Sequence, residues 1–184
     1  MKSQAAAAEA GSDADLGREG LGTFEQVVRE HRSMVFSLAC YFLHDAAVAE
    51  ELAQDVFLKL FLGLRSIQSA EHLVCWLRRV TYHRCIDYAR GENKRQWVAL
   101  DEIAEPWGSG NHPDPLLSRT LQRLVASLPD KARMAVILRF QEDLDYEEIA
   151  EVMEIPLNTV KSVLKRSLRL LHGKLERAMK GVNI

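Results

Sequence analysis

Apolar residues recur at spacings of three and four through most of this chain, and no stretch sustains a period of two, so the pattern predicts helices and no sheet. Phe24, Val27, Val28, Val35, Leu38, Ala39 and Phe42 trace a first helix. It opens on Thr23 with Gln26 three residues later, a pairing in which each side chain satisfies a free backbone N–H of the other. Asp45 caps a second helix carrying Val48, Leu52, Val56, Phe57, Leu60 and Phe61, and a break at Arg65 to Ser69 leads to a third, from Ala70 to about Arg90. These three make a first all-helical domain over residues 23–95.

Residues 96–113, QWVALDEIAEPWGSGNHP, mix Pro, Gly and acids without helical period and read as a linker. Asp114-Pro115 signals a new helix, with Leu116, Leu117, Leu121, Leu124 and Val125 on one face; Leu128-Pro129 ends it, and Lys131 to Phe140 forms the next. Two short helices around a tight turn follow, over Tyr146 to Leu171. Asp145 and Glu148 form a second capping box, and Ile149, Ala150, Val152 and Met153 face inward, with Ile155 under the turn. Glu154 stands at the turn itself, where Gly adopts a left-handed backbone more easily, and Pro156 suits the first turn of the last helix. That helix has an apolar stripe of Val160, Leu164, Leu168, Leu171 and Leu175, opposite a polar face of Thr159, Lys161, Ser162, Lys165, Arg166 and Arg169. The fold class is therefore all-α: a tail (1–22), a first helical domain (23–95), a flexible acidic linker (96–113) and a second helical domain (114–184) containing a helix-turn-helix.

Hydrophobic residues make up 47% of the 184, enough for packed cores, so disorder throughout is excluded. The Ala-, Gly- and acid-rich tail MKSQAAAAEAGSDADLG lacks a signal-peptide core and no apolar run is long enough to span a bilayer, which predicts a cytoplasmic protein without membrane insertion. Cys40, Cys75 and Cys85 sit in apolar helical patterns without metal-ligand spacing and read as reduced thiols. No metal site, cofactor or catalytic constellation is expected, and the chain is not read as an enzyme.

The net charge of -2 conceals a segregation: residues 67–98 carry +3, 99–118 carry -4 and 156–184 carry +6. A polyanion touching both basic islands explains the pattern, and so do ordinary solvated faces. A basic amphipathic helix alone fits a surface, membrane or partner helix equally well. The helix and turn that precede it here make the ensemble a DNA-reading helix-turn-helix. In the third helix Arg78, Arg79, Arg84 and Arg90 interleave with Trp76, Tyr82, His83 and Tyr88, which suits phosphates plus unstacked bases. Trp76, in line with Leu73, Leu77 and Val80, fits the core as readily as a base platform.

Together the stretches AEELAQDVFLKLF (49–61), WLRRVTYHRCIDYAR (76–90) and LPDKARMAVILRFQEDLDYEEIAEVMEIPLNTVKSVLKRSLRLL (128–171) resemble a bacterial sigma factor of the extracytoplasmic-function (ECF) type, the short, two-domain members of the sigma-70 family. The resemblance covers residues 23–178 and implies a protein that joins core RNA polymerase through its beta-prime and beta subunits, recognises promoter DNA, helps open it, and is restrained by an anti-sigma factor. It implies a polymerase-binding set on the second helix, Glu51, Gln54, Asp55, Leu58 and Phe61, whose acids and apolar groups share a face suited to a basic amphipathic partner. It implies a -10 DNA-binding set of Ile67, Trp76, Arg78, Arg79, Tyr82, His83 and Arg84, and a -35 set of Thr159, Lys161, Ser162, Lys165, Arg166 and Arg169 in the major groove. It further implies a linker that threads the polymerase, although a solvated tether accounts for the same composition. The sequence departs from the family pattern in the loop Ser66-Ile67-Gln68-Ser69, at His83 where Asn is frequent, and at Asn158 and Val163.

Two other classes are consistent with parts of the chain. A conventional helix-turn-helix regulator leaves the first domain and its basic island unexplained, whereas a sigma-like protein that occupies polymerase or an anti-sigma factor without initiating accommodates the departures at Ile67 and His83.

Overall fold

Reciprocal caps fix where the helices begin. The computed structural model describes residues 22–63, 67–92 and 115–180. Residues 1–21 of the expected tail, the linker 96–113, the cap at Asp114 and the side chains of Leu116 and Leu117 lie outside the described residues. Seven helices run in the order α1 (Phe24–Leu43), α2 (Ala46–Gly63), α3 (Ala70–Glu92), α4 (Pro115–Ala126), α5 (Asp130–Phe140), α6 (Tyr146–Met153) and α7 (Leu157–Lys180), with no strand among the described residues. Thr23 and Gln26 form the expected capping box of α1, and Asp45 Oδ1 accepts from the backbone N–H of Ala47 and Val48 at 2.9 and 3.1 Å to start α2. Ser69 accepts from the His72 N–H at 3.1 Å while His72 Nδ1 accepts from the Gln68 N–H at 3.2 Å, so α3 is capped from both directions.

The first three helices bury Val35, Leu38, Phe42, Val56, Leu60 and Leu77 against one another, and α5, α6 and α7 do the same with Met134, Leu138, Ile149, Val160 and Leu164. Full burial of such a side chain contributes roughly 1.5–3 kcal/mol. In α7 the stripe departs from expectation: Leu168 is 44% exposed and Ser167, 1% exposed, takes the inward place with its hydroxyl donating to Val163 O at 2.8 Å. An ideal helix drifts only about 20° per seven residues, which keeps position 167 under position 160 and swings 168 to the flank. No described helix is long and apolar enough to cross a membrane.

The two helical groups touch. Helix α3 lies against α6, and α1 and α3 against α5. Arg133 of α5 clasps them: its guanidinium donates to Phe42 O at 3.1 Å at the end of α1 and to Ala126 O and Leu128 O at 2.7 and 3.3 Å, and lies 5.0 Å from the Phe42 ring centroid.

Candidate polymerase and nucleic-acid interfaces

On α2 the inward positions Leu52, Val56, Phe57 and Leu60 leave the other faces to solvent, and Glu51, Gln54, Asp55, Leu58 and Phe61 are all exposed. Leu58, Phe61 and Leu62 are 58%, 50% and 78% exposed, a concentration of apolar surface on one side of α2. Phe61 meets Phe24 of α1 edge to face at 5.3 Å, and with Val28, Ala53, Phe57 and Leu58 they line a groove of about 350 Å³ rimmed by the Arg32–Glu50 ion pair at 2.9 Å. Phe24 and Val28 are half-buried contributors from α1. Glu51 and Asp55 turn instead toward a second, more polar groove of about 550 Å³ shared with Arg84, Asp87 and Tyr88 of α3, where Arg84 Nη2 donates to Asp55 Oδ2 at 2.7 Å. The structure thus joins a residue expected to meet polymerase with one expected to meet DNA.

Of the seven residues expected at the -10 strand, Arg84 pairs with Asp55 and the other six divide into three groups. Ile67 and Tyr82 are only 1% and 4% exposed, so in this structure they pack in the core and offer no contact or stacking surface. The reason is register: Tyr82 and Ile86 fall on the inward face of α3, one turn apart, and Ile67 plugs the space below the start of that helix. Burial pushes the Tyr82 phenol above its ordinary range, with Arg90 opposing and Glu154 adding to the rise, so it stays protonated. Trp76 is half-buried and packs on the core. Arg78, Arg79 and His83 form the third group and face α6 and its flanks, with Arg78 and Arg79 half-buried and His83 exposed. Arg78 donates from Nε and Nη2 to Glu142 Oε2, Arg79 reaches Glu151 at 3.5 Å and Glu154 at 3.7 Å, and His83 Nε2 lies 3.3 Å from Glu154. Half-buried Cys75 lies beside the same contact, its thiol pushed up by burial and then by Glu151.

The helix-turn-helix forms as the sequence predicts. Asp145 and Glu148 cap α6 reciprocally, both bonds at 2.8 Å, and Glu154 adopts the left-handed backbone (φ 51°) despite its side chain. The Ile155 N–H donates to Ala150 O at 3.1 Å, closing the Schellman-type turn, and Pro156 O accepts from Thr159 and Val160 to begin α7. Thr159, Lys161, Lys165, Arg166 and Arg169 are exposed; Ser162 is half-buried and donates to Thr159 O. Lys161 hovers 5.9 Å from the Tyr146 ring centroid. Among the described residues no carboxylate pairs with Lys161, Lys165, Arg166 or Arg169. The two basic faces therefore differ: that of α3 is occupied by carboxylates of the same chain, that of α7 is open to an external polyanion.

Comparison with known proteins assigns both helical groups to one family. The model for sigma-70 region 2 matches residues 27–95 and that for sigma-70 region 4 matches residues 118–171. The chain is similar to the ECF RNA polymerase sigma factor SigE of Mycolicibacterium smegmatis (29% identity, covering 89% of this chain and 65% of that protein). It also resembles the RNA polymerase sigma-H factor of Pseudomonas aeruginosa (28%, covering 83% and 86%) and the ECF sigma factor SigW of Bacillus subtilis (26%, covering 83% and 88%). It spans just under two thirds of the first of these proteins and most of the others. The fold is shared with the sigma factor RpoE of Bartonella quintana, solved in complex with the anti-sigma factor NepR (TM-score 0.67, 20% identity, covering 83% of this chain and 96% of that one). It is shared also with CnrH, solved with the cytosolic domain of CnrY (TM-score 0.61, 18% identity, covering 84% and 88%).

Proposed function

The chain belongs to the sigma-70 family, in its extracytoplasmic-function branch, and on that premise we propose that it joins core RNA polymerase in the cytoplasm and directs it to promoters. The observation that carries the reading is the open cationic face of α7 behind a capped helix-turn-helix: Lys161, Lys165, Arg166 and Arg169 are exposed without carboxylate partners among the described residues, while Val160 and Leu164 anchor the helix beneath them. Such a helix fits the major groove of a -35 element, with lysine and arginine on guanine edges or phosphates. Residues 27–95 form the polymerase-binding and -10 domain and residues 118–171 the -35 domain in this reading, joined by the linker.

The groove between α1 and α2 takes the role of polymerase dock. Leu58 and Phe61 supply apolar anchors and Gln54 a polar rim, while Glu51 and Asp55 favour a basic partner helix, the beta-prime subunit being the family's docking partner. An anti-sigma protein that covers these exposed groups is the natural restraint on such a factor. Arg78, Arg79, His83 and Arg84, with Trp76 behind them, are left to hold the separated -10 strand, with Ile67 and Tyr82 shaping the helix from inside. Native-gel migration with purified core polymerase tests the docking assignment. Gln54→Ala with Asp55→Ala is expected to weaken core binding while -35 duplex binding persists, and retention of full core affinity would overturn the assignment.

A further inference from the structure

One charge-assisted hydrogen bond crosses the seam between the helix that carries the docking face and the helix that carries the strand-binding set: Arg84 Nη2 of α3 donates to Asp55 Oδ2 of α2 at 2.7 Å. Resting on the sigma-factor reading, we propose that Asp55 is a positioning residue that withholds Arg84 from DNA in the free protein, and that a basic partner helix docking on α2 releases Arg84 by taking over the Asp55 carboxylate.

Three features support this. First, the guanidinium sits in acidic surroundings. Among the described residues lining the groove between α2 and α3, Arg84 is the one cation, against the carboxylates of Glu51, Asp55 and Asp87. Such a groove attracts a cation and repels a phosphate, so a DNA strand must draw Arg84 out and cannot follow it in. Second, the arginine is only partly satisfied where it lies. Its Nε is buried without a hydrogen-bond partner while Nη2 holds Asp55, so the charge pair keeps the side chain in place at the cost of an unmade bond. Third, the pair is exchangeable: the Arg84 and Asp55 side chains are 33% and 54% exposed, where ion pairs are weak and a competing cation has access. Arg84 follows His83 directly, about 100° further round α3, so a released guanidinium joins the strand-binding set from the adjacent face.

The consequence is a coupling between two binding events through one carboxylate. A lysine or arginine of the partner helix at Asp55 replaces Arg84 and repels it, and the freed guanidinium pairs with a phosphate. By linkage the strand tightens the partner by the same factor as the partner tightens the strand. For a pair this exposed the factor is about threefold.

A double-mutant cycle on the full chain separates this coupling from the mere loss of a negative charge. Affinity for a short fluorescein-labelled single-stranded DNA of randomised sequence is read by anisotropy in wild type, Asp55→Ala, Arg84→Ala and the double variant, with excess unlabelled duplex present to occupy α7. Asp55→Ala is expected to raise strand affinity about threefold beyond any gain it produces in the Arg84→Ala background, and Asp55→Asn, which keeps the shape and loses the charge, to act in the same direction. An equal gain with and without Arg84 would reduce the effect to lost repulsion and overturn the inference, as would no gain at all, including no measurable binding by any of the proteins. With core polymerase at saturation the Arg84-dependent difference between wild type and Asp55→Ala should vanish, because the partner already holds the carboxylate; its persistence would contradict release by docking. Core-dependent transcription assayed in parallel separates the two levels: absence of any start in wild type counts against the sigma-factor reading, while normal starts without the Arg84-dependent gain count against the coupling alone.

Discussion

Arg78 and Glu142 lie 64 residues apart in sequence, yet the guanidinium donates from Nε and Nη2 to one carboxylate oxygen, at 3.3 and 3.2 Å. Both side chains are largely removed from water, so the pair should couple measurably. A double-mutant cycle with Arg78→Ala and Glu142→Ala, followed by urea denaturation, is expected to give an interaction energy of about 1 kcal/mol. A coupling indistinguishable from zero would mean that the docked arrangement contributes nothing in solution.

The register of α7 is open to a paired substitution. Leu164 is 3% exposed and Leu168 is 44% exposed. Leu164→Ala should cost about 2–4 kcal/mol of unfolding free energy, and Leu168→Ala about 0.5 kcal/mol or less. Equal losses would place the apolar stripe where simple three-and-four counting puts it, and not where the helix turns it.

His44 supplies a pH signature. It ends α1 in the left-handed region at φ 58°, and burial first, then the Arg133 charge, hold its pKa below the ordinary histidine range. The unfolded chain therefore binds a proton that the folded chain refuses as pH drops below about 6.5, and stability falls over that interval until the lowered folded value is reached. His44→Asn keeps a residue tolerant of the left-handed backbone and removes the titration, so the decline of melting temperature from pH 7 to 5 should be shallower in the variant. Parallel curves for the two proteins would contradict this.

On α7 the prediction concerns salt. Charge reversal at Arg169 should weaken duplex binding across sequences and flatten the dependence of log affinity on log salt by about 0.9 for every phosphate the protein ceases to neutralise. An unchanged slope in filter binding would remove Arg169 from the phosphate-gripping set.

Much of this molecule is written in short-range signals. Thr23, Asp45 and Asp145 announce their helices because a cap needs only a side chain within three residues of its target, and the structure realises all three. Glu154 announces the left-handed turn residue by position, although its side chain is the wrong one for ease. Legibility ends where partners are distant. Nothing local distinguishes Tyr82, buried, from Tyr88, exposed, because the choice depends on which neighbouring helices cover α3. Arg79 reads as an available cation until α6 arrives from 72 residues away with Glu151. Phe24 and Val28 carry the same apolar period as core residues, and only the packing of α1 on α2 shows that they also wall an open groove.

Initiation itself is tested most directly by in vitro transcription. Purified core polymerase and the full chain would be combined with a pool of genomic promoter fragments, and the starts mapped with and without the protein. New protein-dependent starts that share elements near -35 and -10 are the expected result. Stable binding to core with no such start on any fragment would contradict the initiating role and favour a polymerase-occupying protein, and absence of core binding would return the chain to the class of ordinary helix-turn-helix regulators.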